Sequence, residues 1–313
     1  MVAKAKSSYK ITNWRKYNES LVQRGSITFW FSDDVIDQWE HTNENPKVGH
    51  PFVYSDTAIE CLLVLRELFR LPYRQTEGLG RSLTQLMQVE VSIPDYTSLA
   101  KRAAKLEITL DVANRKGSID VVVDSTGLKV FGEGEWKTRK HGVSKRRTWR
   151  KLHLAINPET QEIVAEVLTE NSGHDSDQVD ELIEQVDAPI DTFYGDGAYD
   201  QWKVYDRLAK EEIEAIIPPR KNAKIKQHGN SSQPALERDE AIRGIRNVGR
   251  KQWKKEVGYH RRSLAETAMY RMKCCFGGML KNREFENQRT EAKLRSKILN
   301  RFTHLGLPRF EWN

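Results

Sequence analysis

The stretch Ile119-Asp-Val-Val-Val-Asp124 decides the fold of this chain, because it is a run of β-branched residues that ends in an acid. Such a run predicts a short strand that is buried on both faces. Residues 127–131 (GLKVF) predict a second strand directly after it. Residues 149–156 alternate apolar and polar side chains, and residues 162–168 return after the turn sequence Asn-Pro-Glu-Thr. Together these segments predict an antiparallel meander.

Helices and strands alternate after the meander. The predicted elements are a helix capped by Ser176-Asp177 and ending near residue 186, a strand over 191–194, a helix over 201–210 and a strand over 214–217. The order β-β-β-α-β-α-β-α predicts an α/β fold with a ribonuclease-H-like mixed sheet. In such a sheet the first and fourth strands lie side by side, so we expect the acids that follow them to be neighbours.

The N-terminal third predicts a helical unit. Ser55-Asp56 would cap a helix that ends near residue 69, a second helix covers 73–87, and Asp95 would cap a third over 99–106. Two helices, a turn and a basic third helix form a helix-turn-helix pattern, whose third helix would enter the major groove of DNA. The residues expected nearest the DNA are Thr97, Ser98, Lys101 and Arg102. The alternative is a three-helix unit that binds nothing.

Composition limits the class of protein. The chain has 313 residues, of which 38% are hydrophobic and 30% charged, and this favours a soluble globular protein with two domains. No apolar run has the length of a membrane span, and the N-terminal sequence lacks the apolar segment of a signal peptide. Three cysteines without disulfide or zinc spacing suit a reducing compartment. We therefore expect a cytoplasmic location.

Positive charge is concentrated in two segments, although the net charge of the whole chain is only +7. Residues 129–151 carry nine Lys or Arg against two Glu, and residues 220–255 carry eleven against three acids, so the remainder is net negative. Basic segments beside acidic ones indicate a polyanionic partner, most often nucleic acid. Solvated basic loops are the alternative. The second segment is predicted to be a loop with a short helix.

A late segment, Tyr259-His-Arg-Arg-Ser-Leu-Ala-Glu-Thr-Ala-Met-Tyr-Arg-Met-Lys273, has apolar residues at helical spacing and contains no Pro or Gly. On one continuous helix, Tyr259, Arg262, Glu266 and Lys273 would fall within an arc of roughly 60°. A phenol, a guanidinium and an ammonium would then flank one carboxylate. A solvated face with an ordinary Arg–Glu pair is the alternative.

Three carboxylates stand where they could form one site: Asp124 at the end of the first strand, Asp196 between two glycines after the fourth, and Glu266 on the late helix. Hard oxygen ligands suit Mg²⁺ or Mn²⁺, and bound cations relieve the repulsion between neighbouring carboxylates. Two such ions can activate an attacking oxygen and stabilise a leaving one, which phosphodiester chemistry requires. For each acid taken alone, a structural role is the alternative.

Motifs along nearly the whole chain resemble bacterial insertion-sequence transposases of the DDE class, and among them the insertion-sequence-five family. The similar motifs are DSTGLKVFGEGEWK with KHG from Asp124, WRKLHLA from Trp149, DGAYD from Asp196, IPPRK from Ile217 and RRSLAETAMYRMK from Arg261. That family carries a Tyr–Arg–Glu–Lys signature with two, three and six intervening residues, and the segment from Tyr259 to Lys273 matches its spacing.

The resemblance implies an activity and a cofactor. Asp124, Asp196 and Glu266 would be the catalytic triad and would hold two Mg²⁺ ions, for which Mn²⁺ can substitute. Water would attack at the end of the element, and the freed 3′-OH would then attack target DNA.

The resemblance also implies double-stranded DNA as the partner, both as terminal inverted repeats and as target. The further residues expected to contact DNA are Tyr259, Arg262 and Lys273 beside Glu266, Lys137, Arg139 and Lys140 in the first basic segment, and Trp253, which would stack on a flipped base. Ordinary packing is the alternative for Trp253. One catalytic domain per DNA end implies at least a homodimer in the working complex, on the bacterial nucleoid.

The expected domains are a helical DNA-binding domain over residues 1–115, a ribonuclease-H-like catalytic domain over 116–284 with a basic insertion at 220–258, and a C-terminal helix and tail over 285–313. Two other functions compete with transposition. One is a DNA-binding repressor without catalysis, and the other is a nuclease that cuts without strand transfer.

Overall fold

The computed structural model describes residues 9–42, 52–113, 117–130, 149–227 and 235–312. The chain forms two compact units. One consists of residues 1–108 and 298–313, and the other of residues 109–297, so both terminal segments belong to the same unit. Within the described ranges, no helix combines the length and the apolar character that crossing a bilayer requires.

The strands are β1 (Tyr9–Ile11), β2 (Ile119–Val130), β3 (Trp149–Ile156), β4 (Ile163–Glu170), β5 (Ile190–Tyr194), β6 (Glu214–Ile216), β7 (Met279–Leu280) and β8 (Phe310–Trp312). The helices are α1 (Trp14–Gln23), α2 (Ile27–Trp30), α3 (Asp33–Asp37), α4 (Asp56–Leu68), α5 (Tyr73–Met87), α6 (Tyr96–Ala103), α7 (Val179–Glu184), α8 (Trp202–Lys210), α9 (Glu237–Val248), α10 (Arg250–Glu256), α11 (Ser263–Phe276) and α12 (Phe285–Leu305). Short 3₁₀ turns at Asp175–Gln178 and Tyr259–Arg262 precede α7 and α11.

The predicted mixed sheet is present in the unit formed by residues 109–297. The strands are hydrogen-bonded in the order β4-β3-β2-β5-β6, and β7 also pairs with β2. β2, β3 and β4 form the antiparallel meander, whereas β5 runs parallel to β2 with Val122 opposite Tyr194. The predicted adjacency of the first and fourth strands of the sheet is therefore confirmed. Asp124 and Asp196 each stand two residues beyond this pair, at the same edge.

One strand prediction was wrong. Residues 119–124 and 127–131 are not two strands, because β2 continues through Gly127 as far as Val130. Asp124 to Lys129 pair without interruption with Leu154 to Trp149 of β3. The ring of Trp149 lies 3.1 Å from the place that a Cβ of Gly127 would take, so this glycine admits a cross-strand aromatic ring and does not mark a turn.

The apolar core of this unit covers one face of the sheet. Val121 and Val123 on β2 pack there with Phe193 on β5, and with Leu182 and Leu208 from α7 and α8. Burying one such side chain contributes roughly 1.5–3 kcal/mol to the stability of the folded unit. Because side chains alternate along a strand, the even-numbered residues of β2 lie on the opposite face.

The basic segment at 220–255 is more ordered than predicted, and its reading as a loop with one short helix was wrong. It contains α9 and α10. The side chain of Asp239, fully buried, accepts hydrogen bonds from the backbone N–H groups of Lys226 and Gln227. Ile242 and Trp253 bury the apolar faces of the two helices. A few buried apolar residues therefore pack α9 and α10 into a helical hairpin, which the highly charged composition of the segment did not indicate.

The other unit contains the predicted helices α4, α5 and α6. The Ser55 hydroxyl accepts from the Ala58 N–H at 3.1 Å, and the Asp95 carboxylate accepts from the N–H groups of Thr97 and Ser98 at 2.8 and 2.9 Å. The predicted caps are thus confirmed, but α6 begins at Tyr96 and ends at Ala103, three residues earlier than expected at both ends.

Candidate active site

Asp124 and Asp196 lie half-buried at the same edge of the sheet. One oxygen of Asp124, Oδ1, accepts from the Ser125 N–H at 2.8 Å, and Oδ1 of Asp196 accepts from the Ala198 N–H at 2.7 Å. Burial raises the pKa of Asp124, and the nearby charges of Asp196 and Glu266 raise it further, against the effects of the Ser125 N–H and Arg262. The three predicted acids therefore share one electrostatic environment.

Glu266 reaches this environment from the first turn of α11. The segment from Tyr259 to Lys273 is not one continuous helix, so that prediction was wrong. Residues 259–262 form a 3₁₀ turn after Gly258, which has φ of 65°, and the α-helix starts at Ser263. The break has a physical reason, because Arg261 and Arg262 in the turn are bound to acids of β2.

Arg262 joins two of the predicted acids. Its Nη1 donates to Oδ2 of Asp124 at 2.6 Å, and its Nη2 donates to Oε1 of Glu266. Asp124 and Arg262 are largely buried, with side-chain exposures of 16% and 22%, whereas Glu266 is 57% exposed. The pair with Asp124 is therefore shielded from solvent more than the pair with Glu266, and it contributes more to holding the turn against the sheet.

Tyr259 and Lys273 flank the same place. Lys273 Nζ donates to the Thr126 hydroxyl at 2.5 Å, and Lys254 Nζ lies 4.4 Å from the centre of the Tyr259 ring. Burial raises the pKa of the Tyr259 phenol, and the neighbouring acids, Asp196 among them, add to that effect. The four residues of the predicted signature thus gather beside the middle of β2, near Asp124 and Thr126, although they do not share a single helix face.

The donor atoms at this place suit a hard divalent cation, but the side chains do not yet enclose one. Asp124, Asp196 and Glu266 supply carboxylate oxygens, the ligands that Mg²⁺ and Mn²⁺ prefer. Among the described residues, no three acid, His or Cys side chains converge closely enough to hold a metal ion as they stand. The residues fit a metal by the type of their donor atoms, and Arg262 binds one oxygen of Asp124 and one of Glu266.

The candidate DNA-contacting residues on α6 differ in whether their side chains already bind other residues of the protein. Thr97 and Ser98 donate side-chain hydrogen bonds to Asp95, and Lys101 is exposed. Arg102 donates to the Tyr54 carbonyl at 2.9 Å, pairs with Asp56, and stacks on the Phe52 ring. Its guanidinium therefore has a structural role within this unit.

Two further groups of candidates have different outcomes. Lys137, Arg139 and Lys140 lie outside the described residues. Trp253 is only 7% exposed, and its ring lies against Gly244, where an added Cβ would come within 2.9 Å of it. This burial favours the packing alternative over a role in stacking on a base.

Sequence reasoning missed three residues that fix the 3₁₀ turn and α11 to β2. Arg261 pairs with Asp120 at the start of β2, and Thr126 receives Lys273. Asp120, Asp124 and Thr126 alternate along the strand, so all three face the same side. A strand that was read as continuous from 119 to 130 would have shown this shared face.

Known protein families and solved structures include proteins similar to this chain. A family model described as "Transposase DDE domain" matches residues 115–301, and a second with the same description matches residues 22–133. Among solved structures, the chain is similar to the "Cryo-EM structure of piggyBac transposase synaptic complex with hairpin DNA (SNHP)", with 10% identity over 96% of this chain and 78% of that chain, at a TM-score of 0.39. The first family match covers more than half of the chain and contains Asp124, Asp196 and Glu266, and the chain therefore belongs to the DDE transposase family.

Proposed function

We propose that this protein is an insertion-sequence transposase that binds terminal inverted repeats, cuts DNA at the element ends and joins the 3′ ends to target DNA. The observation that carries the proposal is the gathering of Asp124, Asp196 and Glu266 at one sheet edge, where the first and last share a guanidinium. Membership of the DDE transposase family supports the same reaction class.

The three acids would hold two Mg²⁺ ions, or Mn²⁺ in their place. Bound there, the ions would lower the pKa of the attacking water and offset charge on the leaving 3′ oxygen. The raised pKa of Asp124 is consistent with this role, because a carboxylate that is buried beside like charges gains most from a cation. Gly195 is buried, and a Cβ there would lie only 3.0–3.1 Å from the rings of Phe193 and Tyr199, so this glycine lets the chain that leads to Asp196 pack closely.

The remaining signature residues would hold the DNA. Lys273, whose ammonium binds Thr126, and Tyr259, half-buried beside Lys254, would hold the terminal phosphates of the element. Arg262 would join them once it is released from the acids. These contacts would position the DNA without reading its sequence.

Recognition of the inverted repeats is assigned to the helical domain within residues 1–115. The exposed side chains of Thr97 and Lys101 lie four residues apart on α6 and could reach into a groove together. Each catalytic centre processes one DNA end, so we propose at least a homodimer in the complex with two ends.

The test is a cleavage and joining assay with a duplex that carries the inverted repeats found beside the reading frame, in the presence of Mg²⁺. The wild-type protein should nick the duplex and join its 3′ end to a second DNA. Asp124→Asn should bind the duplex and fail to nick it. Asp191→Asn, at the opposite end of β5, is the matched control and should retain both steps.

Each alternative has its own outcome in this assay. Binding without nicking by the wild-type protein would favour the repressor. Nicking without joining would favour a nuclease. Equal loss of binding and nicking in Asp124→Asn would mean that Asp124 is structural.

A further inference from the structure

We infer that Arg262 determines when the acids take up metal, because its guanidinium holds Asp124 and Glu266 until a DNA phosphate draws it away. The inference rests on the proposed function and deepens it. It makes Arg262 a specificity-determining residue, since loading of the metal would depend on the presence of DNA.

Arg262 and a metal ion would compete for the same oxygen atoms of Asp124 and Glu266. Arg262 engages Oδ2 of Asp124 at 2.6 Å and Oε1 of Glu266, while the Ser125 N–H engages Oδ1 of Asp124. Both oxygens of Asp124 therefore accept hydrogen bonds already. A divalent cation that used either acid would lie beside a fixed positive charge, which would repel it strongly in a partly buried site.

Oδ2 of Asp124 becomes free only when the Arg262 guanidinium is displaced, since the guanidinium keeps its charge. An arginine side chain does not lose its proton in proteins, so a rise in pH cannot release Asp124. A phosphate group can release it, because phosphate oxygens accept two parallel N–H bonds from one guanidinium, as a carboxylate does. Arg262 sits at the junction between the 3₁₀ turn and α11, beside Tyr259 and near Lys273, the residues proposed to meet phosphates.

The balance of charge at the three acids also links Arg262 to the metal. The charges of Asp196 and Glu266 both act on Asp124, and a cation would offset them. Arg262 supplies one positive charge while it bridges the two acids, and metal would supply it once the guanidinium is bound to DNA. Binding of metal and of DNA phosphate would then be thermodynamically coupled, and linkage requires each to strengthen the other by the same factor.

The neighbouring arginine offers a matched control. Arg261 carries the same charge one residue earlier, but it pairs with Asp120 at the far end of the strand face. General electrostatic repulsion of a cation would change in the same direction in variants of either arginine. A bridge that occupies the ligands would be removed only in variants of Arg262.

The experiment measures the affinity of the full-length protein for Mn²⁺ alone by calorimetry. Arg262→Gln should bind Mn²⁺ about 5- to 150-fold more tightly than wild type, the range typical of coupled sites. Arg261→Gln, which loses the same charge but frees no oxygen of Asp124 or Glu266, should gain much less affinity than Arg262→Gln. Asp124→Asn should lose most of the Mn²⁺ binding, which tests the proposed metal site itself.

The outcomes separate the two claims. If Asp124→Asn removes binding but Arg262→Gln binds Mn²⁺ no more tightly than Arg261→Gln does, the role of Arg262 is refuted and the proposed metal site stands. If Asp124→Asn binds like wild type, the proposed metal site fails first.

Thermal melting checks that each variant is folded, and Arg262→Met replaces Arg262→Gln if the Gln variant is unfolded. In wild-type crystals that contain both Mn²⁺ and duplex DNA, the guanidinium should have left Asp124 for a phosphate. A metal ion on Asp124 with the Arg262 contact intact would also overturn the inference.

Discussion

Three residue pairs connect one face of β2 to the segment that carries Glu266. Arg261 binds Asp120, Arg262 binds Asp124, and Lys273 binds Thr126. The three partners on β2 are separated by even numbers of residues, so one strand face positions both the 3₁₀ turn and α11. The location of Glu266 therefore depends on side chains that lie more than 130 positions apart in the sequence.

The closeness of Asp124 and Asp196 could be predicted from the sequence, whereas the contact of Arg262 with Asp124 and that of Lys273 with Thr126 could not. A β-branched run that ends in Asp124 and a glycine-flanked Asp196 carry local signals. The bond between Thr126 and Lys273 has none, because it requires β2 to continue past Asp124, where the glycine at 127 suggested an end. The role of Arg262 as a bridge was also hidden, since an i,i+4 pair with Glu266 gives no sign of Asp124.

The hydroxyl of Thr126 tests the proposed positioning of Lys273. We expect Thr126→Val to slow nicking roughly fivefold, because the hydrogen bond that orients the ammonium contributes about 1 kcal/mol. The charge remains, so the salt dependence of DNA binding should not change. Lys273→Ala should instead weaken binding and reduce the slope of log affinity against log salt by about one. Equal changes of slope in both variants would contradict the positioning role.

At the scale of elements, the helical predictions were best where a cap or an apolar stripe marks the boundary. α5 has the predicted bounds, and Ser55 and Asp95 cap their helices as expected. The error at 220–255 has a different cause. α9 and α10 are rich in charge, and their packing depends on Asp239 and Trp253, whose burial becomes visible only in three dimensions.

Trp253 gives a test of that hairpin. We expect Trp253→Ala to lower the free energy of unfolding by about 3–5 kcal/mol, the usual effect of removing a large buried ring. Gly244→Ala should lower it by roughly 1–3 kcal/mol, since the new Cβ would meet the same ring. Denaturant titration measures both. A Trp253→Ala protein with wild-type stability and no DNA cleavage would instead support contact with a flipped base.

The raised pKa of Glu166 on β4 makes the stability of the fold depend on pH. Burial raises the pKa of Glu166 to about 7, although Lys293 and Arg289 on α12 oppose the shift, and its Oε2 lacks a hydrogen-bond partner. The folded protein thus holds this proton to higher pH than the unfolded chain does. Its contribution to stability is complete below about pH 4.5 and is lost as the pH rises through about 7.

Replacing this acid should remove the pH dependence. We expect Glu166→Gln to be more stable than wild type at pH 8, by up to about 3 kcal/mol, and to match it near pH 4.5. Denaturant titrations at the two pH values give the difference. A constant difference across the range would mean that Glu166 does not titrate in this window.

At the scale of the whole molecule, the two ends of the chain complete the helical unit. β1 pairs antiparallel with β8, and Phe302 packs edge-on against Trp30 at a centroid distance of 5.9 Å. The sequence showed neither contact, because each joins segments nearly the whole chain apart. The mixed α/β class followed from the order of strands and helices, which is a local property.

Removal of the last residues should therefore affect the opposite end of the chain. We expect truncation after residue 297 to increase hydrogen exchange in α1 and α2, because β8 and the buried ring of Phe302 are lost. The sheet formed by β2 to β6 should remain protected, since its strands lie within residues 109–297. Loss of protection in the sheet of the truncated protein would contradict the division into these units.

The central claim is that Asp124, Asp196 and Glu266 bind the same metal ions when DNA is present. Anomalous diffraction from crystals of the protein with Mn²⁺ and a duplex carrying the element end tests it most directly. We expect manganese within about 2.1 Å of oxygens from all three carboxylates, the bond length of a small octahedral divalent ion, with Arg262 on a phosphate. Manganese bound elsewhere, with Arg262 still between Asp124 and Glu266, would contradict the account.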